Sequence, residues 1–221
     1  NQLTFSTLIN KTVIATTNLE QDDIIEKNAK TLGIDCFRGS SDDVLDRYYH
    51  CAKEFQINTI VRITSDCPLI DPQIVDHVIK KYQDEDYDYV TNTLIRSYPI
   101  GTDVEIFSFE TLEKTWQKAI LPSEREHVTL FIRNKKSGFK LGNLKNSKNL
   151  SHLRWTLDRK EDLNLIRRIV VKVNKNPILM NDILNLFSVE PELIKINEHI
   201  PQNEGLLKSL KKDDEFQNLK N

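Results

Sequence analysis

The sequence predicts an α/β protein built on a mostly parallel, mixed sheet flanked by helices. Three observations carry this. Strand-like runs rich in β-branched residues alternate with amphipathic helical runs through the first half. Acidic or hydroxyl residues open the helical runs, and a glycine closes the first. The second half adds strands without a helix between each pair, which makes the sheet mixed rather than wholly parallel. With right-handed crossovers, strands 11–17, 58–64 and 87–92 are expected in one sheet.

The opening NQLTFSTLIN reads as the end of a helix leading into a strand, and KTVIATT (11–17) is that strand. Asp22 opens a helix whose apolar positions are Ile24, Ile25, Ala29 and Leu32, with Gly33 as its C-cap. A short strand, IDCFR (34–38), runs into the cap cluster GSSDD and the helix DVLDRYYHCAKEF. NTIVRIT (58–64) follows, then a helix over 72–84, with Asp71 as N-cap and Pro72 at its first position. Strands are predicted at 87–92, 103–109, 139–145 and 153–157, and helices at 110–119, 123–135 and 160–174. From Met180 onward the pieces are short and helical, ending in the polar KSLKKDDEFQNLKN, which reads as frayed. Residues 1–178 are thus expected to form the main domain, and 179–221 a helical extension and polar tail.

A chain of 221 residues, 38% hydrophobic, can bury one sizeable core. Its net charge of −2, with 29% charged residues, gives no basic stripe for nucleic-acid phosphates. No stretch approaches the ~20 apolar residues of a membrane span. Three cysteines without C-x-x-C spacing read as free thiols in a reducing compartment, and the five histidines form no zinc motif. A cytoplasmic protein is expected.

Asp66, in VRITSDCPLIDP, stands where a buried strand ends, and ligands of open α/β sheets bind beyond such ends. It has no helix to cap, so it reads as a hard oxygen ligand for Mg²⁺, weighed against a solvated turn residue. Asp71 reads as a cap. Asp158, in LRWTLDRKEDL, stands three residues before Glu161, and on those residues alone D-x-x-E reads as a capping box. Asp103 and Glu105 in GTDVEIF lie two apart on a strand and so share a face. That face is expected to be wet, or to meet a cation or a hydroxyl-rich ligand. In LPSEREHVT, Ser123 and Glu126 spell a capping box. Arg125 beside a helix N-terminus opposes the macrodipole, so a bound anion or an acidic neighbour should offset it. ATT (15–17) and FRGSSDD (37–43) end strands with small hydroxyl residues that suit a nucleoside or helix caps equally. Neither G-x-G-x-x-G nor a P-loop occurs.

In order along the chain, ATT, FRGSSDDVLDRYY, VRITSDCPLIDP, YPIGTDVEIFSFETLE, LPSEREHVT, FKLGNLKN and LSHLRWTLDRKEDL resemble the cytidylyltransferases of the spore-coat polysaccharide type. These are relatives of the acylneuraminate and 3-deoxy-manno-octulosonate cytidylyltransferases. The resemblance implies a Rossmann-like nucleotide-diphosphosugar transferase fold. It also implies Mg²⁺-dependent transfer of CMP from CTP to a sugar, with release of pyrophosphate, in polysaccharide biosynthesis. By the same resemblance Asp66 and Asp158 hold the metal, and Ala15, Thr16, Thr17, Arg38 and Ser40 line the nucleotide with Asp66. Asp103, Glu105, Arg125 and His127 fall at the sugar. A homodimer is one assembly open to it, and the sugar is not specified.

Three departures accompany the resemblance. Ser65 stands where glycine is usual before the metal aspartate, and Arg159-Lys160 replace a commoner acidic-Pro pair. The family's opening strand and its loop of the type A-R-x-x-S-x-R-L-P-x-K have no counterpart in these residues, so the 221-residue chain alone is expected to turn over CTP negligibly. Two rival readings remain open: a glycosyltransferase of similar fold, and a non-catalytic sugar-nucleotide-binding domain.

Overall fold

The computed structural model describes residues 1–201 and 204–218. After a 3₁₀ turn at Gln2–Phe5, strand β1 (Val13–Thr17) leads into helix α1 (Asp23–Thr31), and β2 (Asp35–Gly39) into α2 (Val44–Glu54). Then come β3 (Thr59–Arg62), α3 (Pro72–Asp84), β4 (Tyr89–Thr91), β5 (Glu105–Ser108) and α4 (Phe109–Lys118). Helices α5 (Pro122–His127) and α6 (Leu130–Arg133), strand β6 (Leu141–Asn143), α7 (Lys160–Val173), α8 (Met180–Val189) and α9 (Glu204–Asn218) complete the order.

The strands fall into two separately hydrogen-bonded sheets, β1-β2 and β3-β5-β4-β6. The one-sheet expectation for 11–17, 58–64 and 87–92 is therefore corrected. Apolar alternation identifies a strand but does not say which neighbour its edge will bond. Parallel pairing holds in β1–β2, where Ala15 lies opposite Phe37, and in β4–β6. The expected strand at 153–157 is reduced to an isolated parallel bridge between Ile100 and Arg154. There the Ile100 N–H donates to Leu153 O and the Trp155 N–H to Ile100 O, both at 2.9 Å.

Of the helix openings read as caps, those of α2 and α3 carry a side-chain cap bond, while Asp22 before α1 makes none. The Asp43 side chain accepts from the Asp46 N–H at the start of α2, and Ser108 caps α4. Gly33 follows α1 at φ +68°, a conformation that costs glycine little, and the Ile34 N–H closes back on Ala29 O. The helix expected over 123–135 is instead broken at Val128, which sits at φ 59°, ψ −57°. Its neighbours close a γ-turn of the rare positive-φ kind, the Thr129 N–H donating to His127 O. Val128 is fully buried, so packing holds a conformation that a β-branched residue avoids.

Two compact units are built from interleaved stretches. The first comprises Asn1–Asn10, Val61–Ile106 and Leu141–Ile200. One of its cores gathers Ile74, Val75, Val78, Val90, Val104 and Ile106, and the other Trp155, Leu165, Ile169, Ile183 and Leu193. The Gln2 side chain ties the opening 3₁₀ turn into this unit, donating to Ile70 O and Ile178 O and accepting from the Ile178 N–H. The second unit comprises Lys11–Ile60, Phe107–Lys140 and the described residues from Pro201. Within it α2 meets α4 through stacked Tyr49 and Trp116, their ring centroids 4.1 Å apart. The polar tail, expected to fray, forms α9 as far as Asn218, and residues 219–221 lie outside the described ones. Ser209 and Asp213 are buried where α9 meets α5, a polar anchorage that composition does not announce.

Asp71 behaves as the cap it was expected to be. Its Oδ1 accepts from the Gln73 N–H at 2.8 Å, and its Oδ2 from the Met180 N–H at 2.7 Å, so it joins the starts of α3 and α8. Asp71→Ala should cost about 2–3 kcal/mol, because two backbone donors at a buried site lose their acceptor. For a chain of this size that lowers the thermal midpoint by roughly 4–12 °C. An unchanged midpoint in calorimetry would show that these bonds are replaceable by water.

Candidate active site

In the first unit the segment after β3 and the segment before α7 are bonded to each other. Asp66 O accepts from the Leu157 N–H at 2.8 Å and from Thr156 Oγ1 at 2.9 Å. Asp66 and Asp158 therefore project from adjacent stretches of backbone. Gly101 supports this strip, because a Cβ there would lie 2.6 Å from Thr156 N, and its φ is +99°.

The two acids share a further property. Asp66 accepts from the Thr64 hydroxyl and, at 3.6 Å, from Cys67 Sγ, both on Oδ1. Asp158 accepts from Arg154 Nη2 at 2.6 Å on Oδ2. Among the described residues no donor meets the second oxygen of either. The other acids singled out from the sequence differ. Asp103 gives both oxygens to Arg96, each at 2.7 Å. Glu105 gives one to Arg62 and one to Tyr89 Oη at 2.5 Å. Asp71 has both oxygens in caps.

Asp103 and Glu105 each meet a cation, and in both cases it is one that the chain itself supplies. Asp103 precedes β5, while Glu105 is its first residue and is buried. Each carboxylate has its own arginine, which is how the chain accommodates two like charges so close together. Cys67 is no nucleophile. Burial, helped by the Asp66 and Asp103 charges, pushes its thiol up to about 12.

Both capping boxes read from sequence go to a neighbouring acid. Asp162, not Glu161, accepts from the backbone N–H groups of Asp158 and Arg159, both at 3.0 Å. This leaves the Asp158 carboxylate out of the cap. Glu124, not Glu126, accepts from the Ile120 and Leu121 N–H groups. Ser123 instead donates its N–H and hydroxyl to Asp213, at 2.8 and 2.5 Å.

The remaining candidates lie in the second unit. Ala15 lies within β1, and the two residues after it, Thr16 and Thr17, donate their hydroxyls to the same oxygen of Asp22, Oδ2, at 3.1 and 2.5 Å. Arg38 donates to Thr17 O, Leu19 O, Asp23 and Glu26. Ser40 Oγ accepts from the Asp43 N–H. The offset predicted for Arg125 is an acidic neighbour, since its Nε and Nη2 both donate to Asp43 Oδ2, at 2.8 and 2.5 Å. His127 Nε2 lies 2.9 Å from Ser209 Oγ. The arginine is thus committed to structural bonds that a ligand would have to displace.

Sequence reasoning did not single out Arg154, Asp162 or Asn197. Arg154 is 9% exposed and Asp162 fully buried, and they meet through Nε–Oδ1 at 3.0 Å and Nη2–Oδ2 at 2.9 Å. Asn197 Nδ2 adds a bond to Asp162 Oδ1 at 2.8 Å. The only sequence signal was a basic residue four positions before Asp158, in a segment read as a strand.

A family model described as Cytidylyltransferase matches residues 1–199. The chain belongs to the cytidylyltransferase family. Among solved structures it resembles a cytidylyltransferase from Leptospira borgpetersenii serovar Hardjo-bovis (TM-score 0.84, 32% identity), over 87% of this chain and 82% of that one. It also resembles CMP:2-keto-3-deoxy-manno-octonic acid synthetase complexed with CTP, with a TM-score of 0.56 and 11% identity. That alignment spans 77% of this chain and 85% of the other, and its likeness is one of fold. Curated relatives include the spore coat polysaccharide biosynthesis protein SpsF of Bacillus subtilis, 31% identical over 184 residues, covering 81% of this chain and 75% of SpsF. The uncharacterized protein MJ1063 of Methanocaldococcus jannaschii is 31% identical over 192 residues, covering 86% of this chain and 78% of its own length. The α/β architecture of this cytidylyltransferase is accordingly the nucleotide-diphosphosugar transferase fold that its motifs imply. Among the described residues no helix is long and apolar enough to cross a membrane.

The Asp162 network makes an acid-stability prediction. Burial opposes ionisation of Asp162, but bonds from Arg154, Asn197 and the Asp158 N–H outweigh it and hold the carboxyl at about 2. A folded value below the ordinary 3.8 means the stabilisation is complete above about pH 4 and is lost as pH falls towards 2. The shift is worth about 2 kcal/mol. Denaturant titrations of the wild type between pH 6 and 2 should show this acid-limb loss. Asp162→Asn should be less stable at pH 6 and show a shallower limb; parallel curves would mean the group is not linked to folding.

Proposed function

We propose that this cytidylyltransferase transfers a CMP group from CTP to a sugar hydroxyl, releasing pyrophosphate, with Mg²⁺ held by Asp66 and Asp158. The observation that carries the reading is the pair itself. Two carboxylates stand on bonded backbone strips, each with one oxygen taken by the protein and one left over. Among the described residues no group of three or more His, Cys, Asp or Glu forms a metal cage. Two hard oxygens, completed by water and substrate phosphate, fit Mg²⁺, which keeps most of its coordination for such ligands. When bound, the ion would neutralise charge on the phosphate under attack.

The chain's own residues supply position. The Thr64 hydroxyl fixes Asp66, Arg154 fixes Asp158, and the Thr156 hydroxyl and Leu157 N–H hold the two segments together. In the reaction the sugar hydroxyl gives up its proton to solvent as its oxygen bonds to the α-phosphorus, the bond from that phosphorus to the bridging oxygen breaks, and pyrophosphate carries away that bond's electron pair. No side-chain nucleophile is required, because preorganised charge is enough for such transfers. The kinship with SpsF supports a sugar destined for a polysaccharide as the acceptor.

In a chain preceded by the family's opening strand and phosphate loop, Asp66→Ala should lower pyrophosphate release from CTP and Mg²⁺ by at least about 100-fold, or ~2.7 kcal/mol of transition-state stabilisation. The assay would use a panel of sugars that includes 2-keto sugar acids. The thermal midpoint should stay near that of the wild type, because Asp66 is tied to the fold through its carbonyl. Wild-type turnover in the folded variant would remove Asp66 from the mechanism.

A further inference from the structure

We propose that Arg154 is a positioning residue, locked by Asp162 and Asn197 so that Asp158 offers only Oδ1 to a cation. The proposal rests on the reading of Asp158 as a metal ligand. The Asp158 side chain is half exposed, and left alone it would sample several rotamers in water. An exposed ion pair would hold it weakly. Its partner here is not exposed. The Arg154 side chain is 8% accessible, and Asp162 grips its Nε and Nη2. Asp162 in turn accepts from Asn197 Nδ2 and from the N–H groups of Asp158 and Arg159. Asn197 Nδ2 also reaches Arg154 O at 3.3 Å. The guanidinium therefore has no alternative placement, and Nη2 meets Asp158 Oδ2 from a fixed direction.

Charge points the same way. Within the bonded group, Asp158 and Asp162 against Arg154 leave one net negative charge, and its exposed end is the Asp158 carboxylate, where a cation would balance it. Without the arginine, Asp158 and Asp162 would face each other as uncompensated like charges. A purely structural role would need only the Arg154–Asp162 bonds, and the bond to Asp158 would then make no difference to metal binding.

Three full-chain variants separate these cases, read by Mn²⁺ binding in electron paramagnetic resonance without nucleotide and, with the family's opening strand and loop supplied ahead of the chain, by the Mg²⁺ dependence of pyrophosphate release. Asp158→Asn tests the ligand reading: wild-type Mn²⁺ affinity in that variant would overturn the site assignment itself. Asp158→Glu keeps the charge on an exposed side chain but carries the carboxylate past its arginine. It should weaken Mn²⁺ binding and raise the half-saturating Mg²⁺ by about tenfold, as removal of a ligand's supporting partner does. Arg154→Lys, which keeps the charge but loses the fork, should do the same. With Asp158→Asn impaired, wild-type Mn²⁺ affinity in Asp158→Glu overturns the positioning role, and so does wild-type affinity in a folded Arg154→Lys. If Arg154→Lys does not fold, Asp158→Glu decides alone.

Discussion

The buried ion pair between Arg154 and Asp162 is the interaction on which the Asp158 end of the first unit depends. Burying two charges is costly, and the cost is offset only when every remaining polar site finds a partner. Here Asn197 and two backbone N–H groups complete Asp162, while Asp158 takes the outer edge of Arg154. The pair thereby fixes the start of α7, the strip bridged to Ile100, and the Asn197 turn in one arrangement. Removing one partner would strand a buried charge, a penalty of about 3–5 kcal/mol. The strip it holds is the same one whose Thr156 and Leu157 grip the Asp66 carbonyl.

Oxygen accounting separates the acids around Asp66 and Asp158 that the sequence or the Arg154 network singles out into two kinds. Asp71, Asp103, Glu105 and Asp162 have both carboxylate oxygens bonded within the protein. Such groups hold structure together, and recruiting one to a ligand means breaking what it supports. Asp66 and Asp158 each keep an uncommitted oxygen beside a committed one. A ligand oxygen that is oriented yet available is what a metal-dependent transfer asks of a carboxylate.

The elements were largely legible in the sequence because their signals are local. Asp71-Pro72 marks the start of α3 and Gly33 follows the end of α1, each acting on neighbours within a turn. Capping boxes were less legible. Glu124 and Glu126, or Glu161 and Asp162, stand close enough that spacing cannot choose between them. The choice fell to distant partners, Asp213 for Ser123 and Arg154 for Asp162. The break at Val128 was invisible for a similar reason, since only burial of that side chain holds its unfavourable backbone.

The sequence by itself determined the alternation of strands and helices, most helix starts, and Asp66 as a carboxylate beyond a strand end. It also carried, from ATT to LSHLRWTLDRKEDL, the motifs of the family whose model matches residues 1–199. Only the tertiary structure decided which strands pair, that Asp158 is released from capping by Asp162, and that Arg154 stands behind it. The physical reason is range. Caps and periodicity are interactions within a few residues, whereas sheet pairing and the fate of each carboxylate oxygen depend on groups brought together by the fold, as Asp66 and Thr156 are.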